Sequence, residues 1–296
     1  MGNLALGGRA KTPFVAALAE ALQRRGLRPA ILLRGYPRVA RSAAPVLLHR
    51  ERADLDAPWL VPLVRAGCAA PAWTHALVAG DEAAWLAAVT GVPVVAHPDR
   101  VAASGAVLAA HPVDVLVLDD GLQTPVRTDL AVVLVDPDRD LLGSRAPVAT
   151  RESVTSLPPD TRWVHLGADI RREPAALRTL TGALVEGDPG AVSVCAGVGD
   201  PESVAACARA AGLTVRGTLR VRDHGRPSSR QLRGAGRLLV TEKDAVGWAA
   251  ARAPADTLVL GLHLAGSEAH ADALADALAN VLARTPPPRT RSSGSD

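Results

Sequence analysis

Apolar residues along this chain fall into two alternating patterns. Short continuous runs of Val, Leu and Ala occur at Ala30–Leu33, Val92–Ala96, Val113–Leu118 and Ala131–Val135. None alternates with polar residues, which is the pattern of strands buried on both faces of a parallel sheet. Between them lie Ala/Leu-rich stretches with a helical period. Residues 12–25 put Phe14, Leu18 and Leu22 on one face and stop at Gly26, so they predict a helix. The run Val101–Ala110 reads as a helix with Asp99 as its N-terminal acid. A second set begins near Trp163, with strands at Val192–Cys195, near Leu213–Val221, at Arg237–Val240 and at Thr257–Leu260, and a helix after Pro201. A last helix spans about 268–284, with Ser267 as N-cap and Leu274, Leu278 and Leu282 as its stripe.

Strands alternating with helices predict an α/β fold: a mostly parallel sheet with helices on both faces, plus a second, smaller α/β domain. Residues 145–160, rich in Pro, Ser and Thr, form the best linker. The expected division is 1–150 for the first domain, 160–285 for the second and 286–296 for a disordered tail.

Composition narrows the class. The chain is 48% hydrophobic but only 2% aromatic, so the core must be built from Ala, Val and Leu. Three widely spaced cysteines (Cys68, Cys195, Cys207) fit neither a disulfide framework nor a zinc site and point to a reducing compartment. No apolar run reaches the ~18–20 residues of a membrane-spanning helix. Met1-Gly2-Asn3 lacks the features of a signal peptide. A net charge of +3 permits contact with anionic lipid or phosphate. Scattered arginines and scarce aromatics argue against nucleic acid as a partner.

The chemistry begins with lysine usage. Of 33 basic residues only Lys11 and Lys243 are lysine. Lys11 follows Gly7 and Gly8 and precedes Thr12 and a helix, the layout of a phosphate-binding loop (P-loop). There a compact ammonium reaches phosphate oxygens and a threonine hydroxyl suits Mg²⁺. The strict spacing asks for glycine at positions 5 and 10, and both are alanine. A Cβ at position 10 is expected to crowd the phosphate or strain the backbone. Asp119-Asp120-Gly121-Leu122-Gln123 follows an apolar strand. Carboxylates at that end of a parallel strand lie where doubly wound sheets bind ligands, and they suit Mg²⁺; the plainer reading is an Asp-Gly turn. Gly80-Asp81-Glu82 opens a helix, where acids usually serve only the helix dipole. Asp223-His224 is a base candidate or a solvated loop. In Thr241-Glu242-Lys243-Asp244, Lys243 has two readings: it contacts phosphate, or it pairs with Glu242 or Asp244.

Taken in order, these motifs resemble the tetraacyldisaccharide 4'-kinase (lipid A 4'-kinase) family. The similar segments are Gly2-Asn3-Leu4 with Gly7-Gly8 and Lys11-Thr12-Pro13, then Arg34-Gly35-Tyr36, Gly80-Asp81-Glu82, Asp119–Gln123, Ala196-Gly197-Val198-Gly199, Asp223-His224 and Thr241–Val246. The resemblance implies a P-loop-type, two-domain α/β fold with the active site between the domains. It also implies Mg²⁺- and ATP-dependent phosphorylation of the 4'-hydroxyl of a membrane-embedded, acylated glucosamine disaccharide 1-phosphate, at the cytoplasmic face of the inner membrane.

By position, Gly7, Gly8, Lys11 and Thr12 would hold the ATP phosphates. Thr12, Glu82, Asp119, Asp120 and Glu152 would serve the metal. Asp81 would accept the hydroxyl proton, with His224 orienting it. The chain departs from the family pattern at Ala10, Ala83 and Thr124, and in the lengths of the segments before Gly80 and over 139–152. It also begins at the loop itself, so Met1-Gly2 is expected to form no strand and the natural protein to start upstream. An alternative is a family homologue that binds nucleotide but has lost transfer. A third, a P-loop kinase or GTPase with another acceptor, lacks an Asn-Lys-x-Asp guanine motif.

Overall fold

The computed structural model describes residues 1–3, 10–36, 43–51, 55–122, 126–136, 157–221, 227–248 and 253–284. Expectations on Gly7, Gly8, Gln123, Thr124, Glu152, Asp223 and His224, on the linker before residue 157 and on the tail lie outside the described residues.

The first unit holds β1 (Gly2–Asn3), α1 (Lys11–Arg24), β2 (Pro29–Leu33), β3 (Val46–Arg50), β4 (Pro62–Arg65), β5 (Cys68–Pro71), α2 (Ala72–Ala79), α3 (Asp81–Thr90), β6 (Val94–Ala96), α4 (Arg100–Ala110), β7 (Val115–Leu118), β8 (Val132–Val135) and β9 (Arg162–His165). Six strands run in the order β5-β4-β3-β6-β2-β7, and three more in the order β1-β8-β9. β6, β2 and β7 are parallel, as their uninterrupted apolar runs demand. β3, β4 and β5 add an antiparallel flank that the apolar runs did not announce.

Gly2–Asn3 corrects the expectation of no strand there. It pairs in parallel with Val133 and Leu134 of β8. On its other side the Met1 ammonium donates to the Leu118 carbonyl at 2.9 Å, and the Gly121 N–H donates to the Met1 carbonyl at 2.8 Å. Two residues suffice because backbone partners stand ready on both sides. β1 therefore joins β7 to β8. A Cβ on Gly2 would sit 2.5 Å from the Leu122 side chain, so only glycine fits that approach.

The strands β2 and β7 are fastened at their starts. Arg28 donates from its backbone N–H, Nε and NH2 to the Asp114 carboxylate, at 2.7–2.9 Å. These bonds hold the Asp114 carboxyl down at about 2, from an ordinary 3.8. A depressed folded pKa means the pair contributes fully above pH 3.8 and is lost as pH falls towards 2. Both side chains are partly exposed, so solvent screens the pair and its contribution is small. Asp114→Asn should flatten the fall of melting temperature between pH 4 and pH 2, read by calorimetry in ~0.1 M salt.

The second unit holds β10 (Arg171–Thr179), β11 (Val192–Cys195), α5 (Pro201–Ala210), β12 (Val215–Leu219), α6 (Ser229–Ala235), β13 (Arg237–Thr241), α7 (Glu242–Trp248), β14 (Leu258–Ala265) and α8 (Ser267–Arg284). Its sheet runs β10-β14-β13-β11-β12, parallel except for β10 on β14. Two elements pack across the expected boundary. β9, which contains Trp163, pairs with β8 and buries Val164 in the first unit, so the second set starts at β10. The last helix, expected in the smaller domain, packs along α1. Ala271, Leu274 and Ala275 are buried there, and Asp272 and Asp276 pair with Arg24 and Arg25 at 2.6–2.9 Å.

Candidate active site

α1 begins at Lys11, directly after Ala10. Ala10 takes the left-handed conformation, with φ +56° and ψ +22°. That is the strain the sequence foretold. For an L-residue it costs about 1–2 kcal/mol, but the Ala10 methyl is buried among core residues, which returns about 0.8 kcal/mol. Glycine would relieve the strain, lose that burial and gain unfolded-chain entropy worth about 0.4–1 kcal/mol. The terms nearly cancel, so Ala10→Gly should leave the melting temperature almost unchanged. Ala10→Val, β-branched at positive φ in a filled site, should destabilise by about 1–3 kcal/mol.

The paired aspartates stand at the C-terminal end of β7, facing the start of α1. Asp120 is also left-handed (φ +53°), and a Cβ on Gly121 would meet Leu118 Cβ at 2.7 Å. This tight turn sends the two carboxylates in different directions. Asp120 Oδ1 lies 3.3 Å from the Lys11 ammonium. Asp119 turns inward and is 2% exposed. Its Oδ2 accepts the Thr12 hydroxyl at 3.0 Å, while its Oδ1 is buried with no hydrogen-bond partner among the described residues. Burial pushes the Asp119 carboxyl up, against the pull of Lys11 and Thr12.

α3 brings the next two acids. Gly80 starts it at φ +94°, with its α-carbon against the backbone of Gly35 and Tyr36; a Cβ would meet Gly35 C at 3.2 Å. Asp81 Oδ1 accepts the N–H of Glu82 at 2.8 Å, and Glu82 Oε1 lies 3.4 Å from the Thr12 hydroxyl. From the second unit, α7 places the Lys243 ammonium 3.7 Å from Glu82 Oε1 and 4.0 Å from Asp81 Oδ2. Lys243 thus reaches across to α3 and also pulls the Asp244 carboxyl of its own turn down against burial.

Lys11, Thr12, Asp81, Glu82, Asp119 and Asp120 therefore converge, from three elements far apart in sequence. Gly7, Gly8, Glu152 and His224 lie outside the described residues. Asp99 does not join the cluster: it caps α4, accepting from the N–H groups of Val101 and Ala102 at 2.8 and 3.1 Å.

Three residues that border the cluster were not anticipated. Arg100, 3% exposed, donates to the carbonyls of His97 at 2.8 Å and Asp119 at 3.2 Å, bracing the aspartate turn. Trp85 donates to Glu242 at 3.2 Å across the two units. Gly247 of α7 lies over Asp81, where a Cβ would sit 3.0 Å from Asp81 Cβ. A glycine inside a helix was a readable sign of close packing; nothing in the sequence marked Arg100.

A strand–helix junction with a terminal lysine and threonine, faced by paired aspartates on the neighbouring strand, defines the class of P-loop phosphotransferases. The family model described as tetraacyldisaccharide-1-P 4'-kinase matches residues 1–283, and the chain belongs to that family. Among its relatives, the tetraacyldisaccharide 4'-kinase of Bordetella petrii is 33% identical over 279 residues, covering 83% of this chain and 72% of that one. That of Herminiimonas arsenicoxydans is 31% identical over 284 residues, covering 83% and 71%. The fold is that of LpxK from Aquifex aeolicus, solved in complex with ATP. That structure superposes with a TM-score of 0.59 at 23% identity, over 95% of this chain and 86% of that one.

Proposed function

We propose that this chain transfers the γ-phosphoryl group of ATP to the 4'-hydroxyl of a tetraacylated glucosamine disaccharide 1-phosphate, in lipid A biosynthesis. Family membership supplies the reaction, and the site supports a division of labour. Lys11 and the first N–H groups of α1 face the phosphates. Asp81 takes the proton from the acceptor hydroxyl, its oxygen bonds the γ-phosphorus, and the bond to the β,γ-bridging oxygen breaks to release ADP. The assignment of His224 as the partner of Asp81, and of Glu152 as a metal ligand, rests on the family resemblance.

One observation carries the reading: Asp119, a buried carboxylate with a bare Oδ1, beside Thr12 and Lys11. A buried carboxylate raised by desolvation is stabilised by a cation. Thr12, Asp119, Asp120 and Glu82 offer oxygen donors of the type Mg²⁺ prefers. Among the described residues no group of three or more His, Cys, Asp or Glu can hold a metal alone. Mg²⁺ keeps several waters and shares substrate phosphates; when bound, it would neutralise charge on the transferring phosphates.

The second unit supplies Lys243 beside Asp81 and Glu82, and the family resemblance adds His224 and a site between two domains. No described helix is long and apolar enough to cross a membrane. A lipid acceptor therefore calls for peripheral contact with a membrane surface, at the cytoplasmic face of the inner membrane. Calorimetry tests the nucleotide half of the reading. The protein should bind ATP with a requirement for Mg²⁺, and Lys11→Ala should weaken that binding; a folded protein that binds no ATP contradicts it.

A further inference from the structure

The chain holds only two lysines, and the fold brings both to one group of carboxylates. Lys11 meets Asp120, and Lys243 meets Asp81 and Glu82. In the kinase reading Lys11 faces the phosphates, while Lys243 is present at the site with its task unassigned. Resting on that reading, we propose that Lys243 is a positioning residue, which fixes the Asp81 carboxylate for proton transfer and registers the second unit against α3.

The Lys243 side chain is 15% exposed, and its nitrogen faces Gly197 O at 3.4 Å, Glu82 Oε1 at 3.7 Å and Asp81 Oδ2 at 4.0 Å. An ammonium has three rotatable donors and serves such a set; a planar guanidinium, with its donors fixed in a fork, does not. This explains a lysine in a chain that otherwise uses arginine for positive charge. Lys243 is itself held. Asp244 accepts the Gly197 N–H at 2.9 Å and the Thr241 hydroxyl at 2.6 Å, which ties the start of α7 to the segment after β11. Gly247, one turn on, lets α7 lie directly over Asp81. With Oδ1 engaged by the Glu82 N–H and Oδ2 faced by Lys243, both oxygens of the Asp81 carboxylate are oriented. Trp85–Glu242 ties the same two helices together without touching Asp81.

That second tie separates positioning from simple docking. Steady-state kinetics and melting temperatures are to be measured on wild type, Lys243→Ala, Lys243→Arg and Trp85→Phe. Lys243→Ala should lower kcat by roughly 10–100-fold, the usual loss when a group orienting an active residue is removed, with KM for ATP little changed. Lys243→Arg keeps the charge and should not restore kcat. Trp85→Phe should lower the melting temperature and leave kcat intact.

Full kcat in Lys243→Ala, full rescue by arginine, or an equal kcat loss in Trp85→Phe overturns the proposal. A wild type that transfers no phosphate refutes the kinase reading instead. The melting temperatures of Asp81→Ala, Lys243→Ala and the double variant then decide. Non-additive shifts support the Lys243–Asp81 link, and additive shifts overturn it.

Discussion

Asp119→Asn is expected to make the protein more heat-stable in Mg²⁺-free buffer at pH 7 and to cost it about 10²–10³-fold in turnover. The two effects have one cause. The Asp119 carboxylate is buried, one of its oxygens has no partner among the described residues, and burial raises its pKa. A raised folded pKa in an acid means that stability falls as pH rises out of the ordinary carboxylate range, so neutral buffer carries a penalty that an uncharged amide does not. The amide is nearly isosteric, carries no charge and still accepts from Thr12. It removes the penalty together with the negative charge that a cation beside the phosphates requires. Mg²⁺ with ATP should raise the wild-type melting temperature and leave that of Asp119→Asn nearly unmoved. Calorimetric melts with and without Mg·ATP check both halves.

Asp81→Ala is expected to lower turnover by roughly 10²–10⁴-fold, the usual contribution of a positioned general base. ATP binding should hardly change, because Asp81 acts on the acceptor hydroxyl rather than on the phosphates. His224→Ala should behave alike, and the double variant should be little worse than either single, since the two act as a unit. Asp99→Ala is the control. Its carboxylate caps α4, so its loss should cost about 1 kcal/mol of stability and no turnover. Loss of transfer in Asp99→Ala with transfer retained in Asp81→Ala would reverse the assignment.

The parallel centre of the fold was legible because burial on both faces leaves an uninterrupted apolar run. β2, β6, β7, β8 and β11 each fall within a residue or two of such a run. α1, α4 and α5 were equally plain, and Asp99 was rightly read as the N-terminal acid of α4. The antiparallel elements were not legible. β10 reads Arg171-Arg172-Glu173-Pro174 at its start, and its position at the edge of the five-stranded sheet makes that tolerable. α8 announced its helix but not its neighbour, because the acids that dock it (Asp272 and Asp276) answer arginines on α1, far away in sequence.

In the site, residue types were readable and their pairing was not. Lys243 stood out by rarity. Its own turn offered Glu242 and Asp244 as partners; Glu242 accepts from Trp85 and Asp244 from Thr241 and Gly197, and the ammonium, while still acting on Asp244, reaches on to Asp81 and Glu82. The strain at Ala10 was foreseen from the motif; the buried methyl that offsets it was visible only in the fold.

The most direct measurement is transfer itself. Wild-type protein is incubated with ATP labelled in the γ-phosphate, Mg²⁺ and a detergent-dispersed tetraacyldisaccharide 1-phosphate, beside Lys11→Ala and Asp81→Ala. The label should pass to the 4'-oxygen of the lipid with wild type and fall steeply with both variants. Folded wild-type protein that binds Mg·ATP and leaves the lipid unlabelled, or transfer at wild-type rate by Asp81→Ala, would contradict the account.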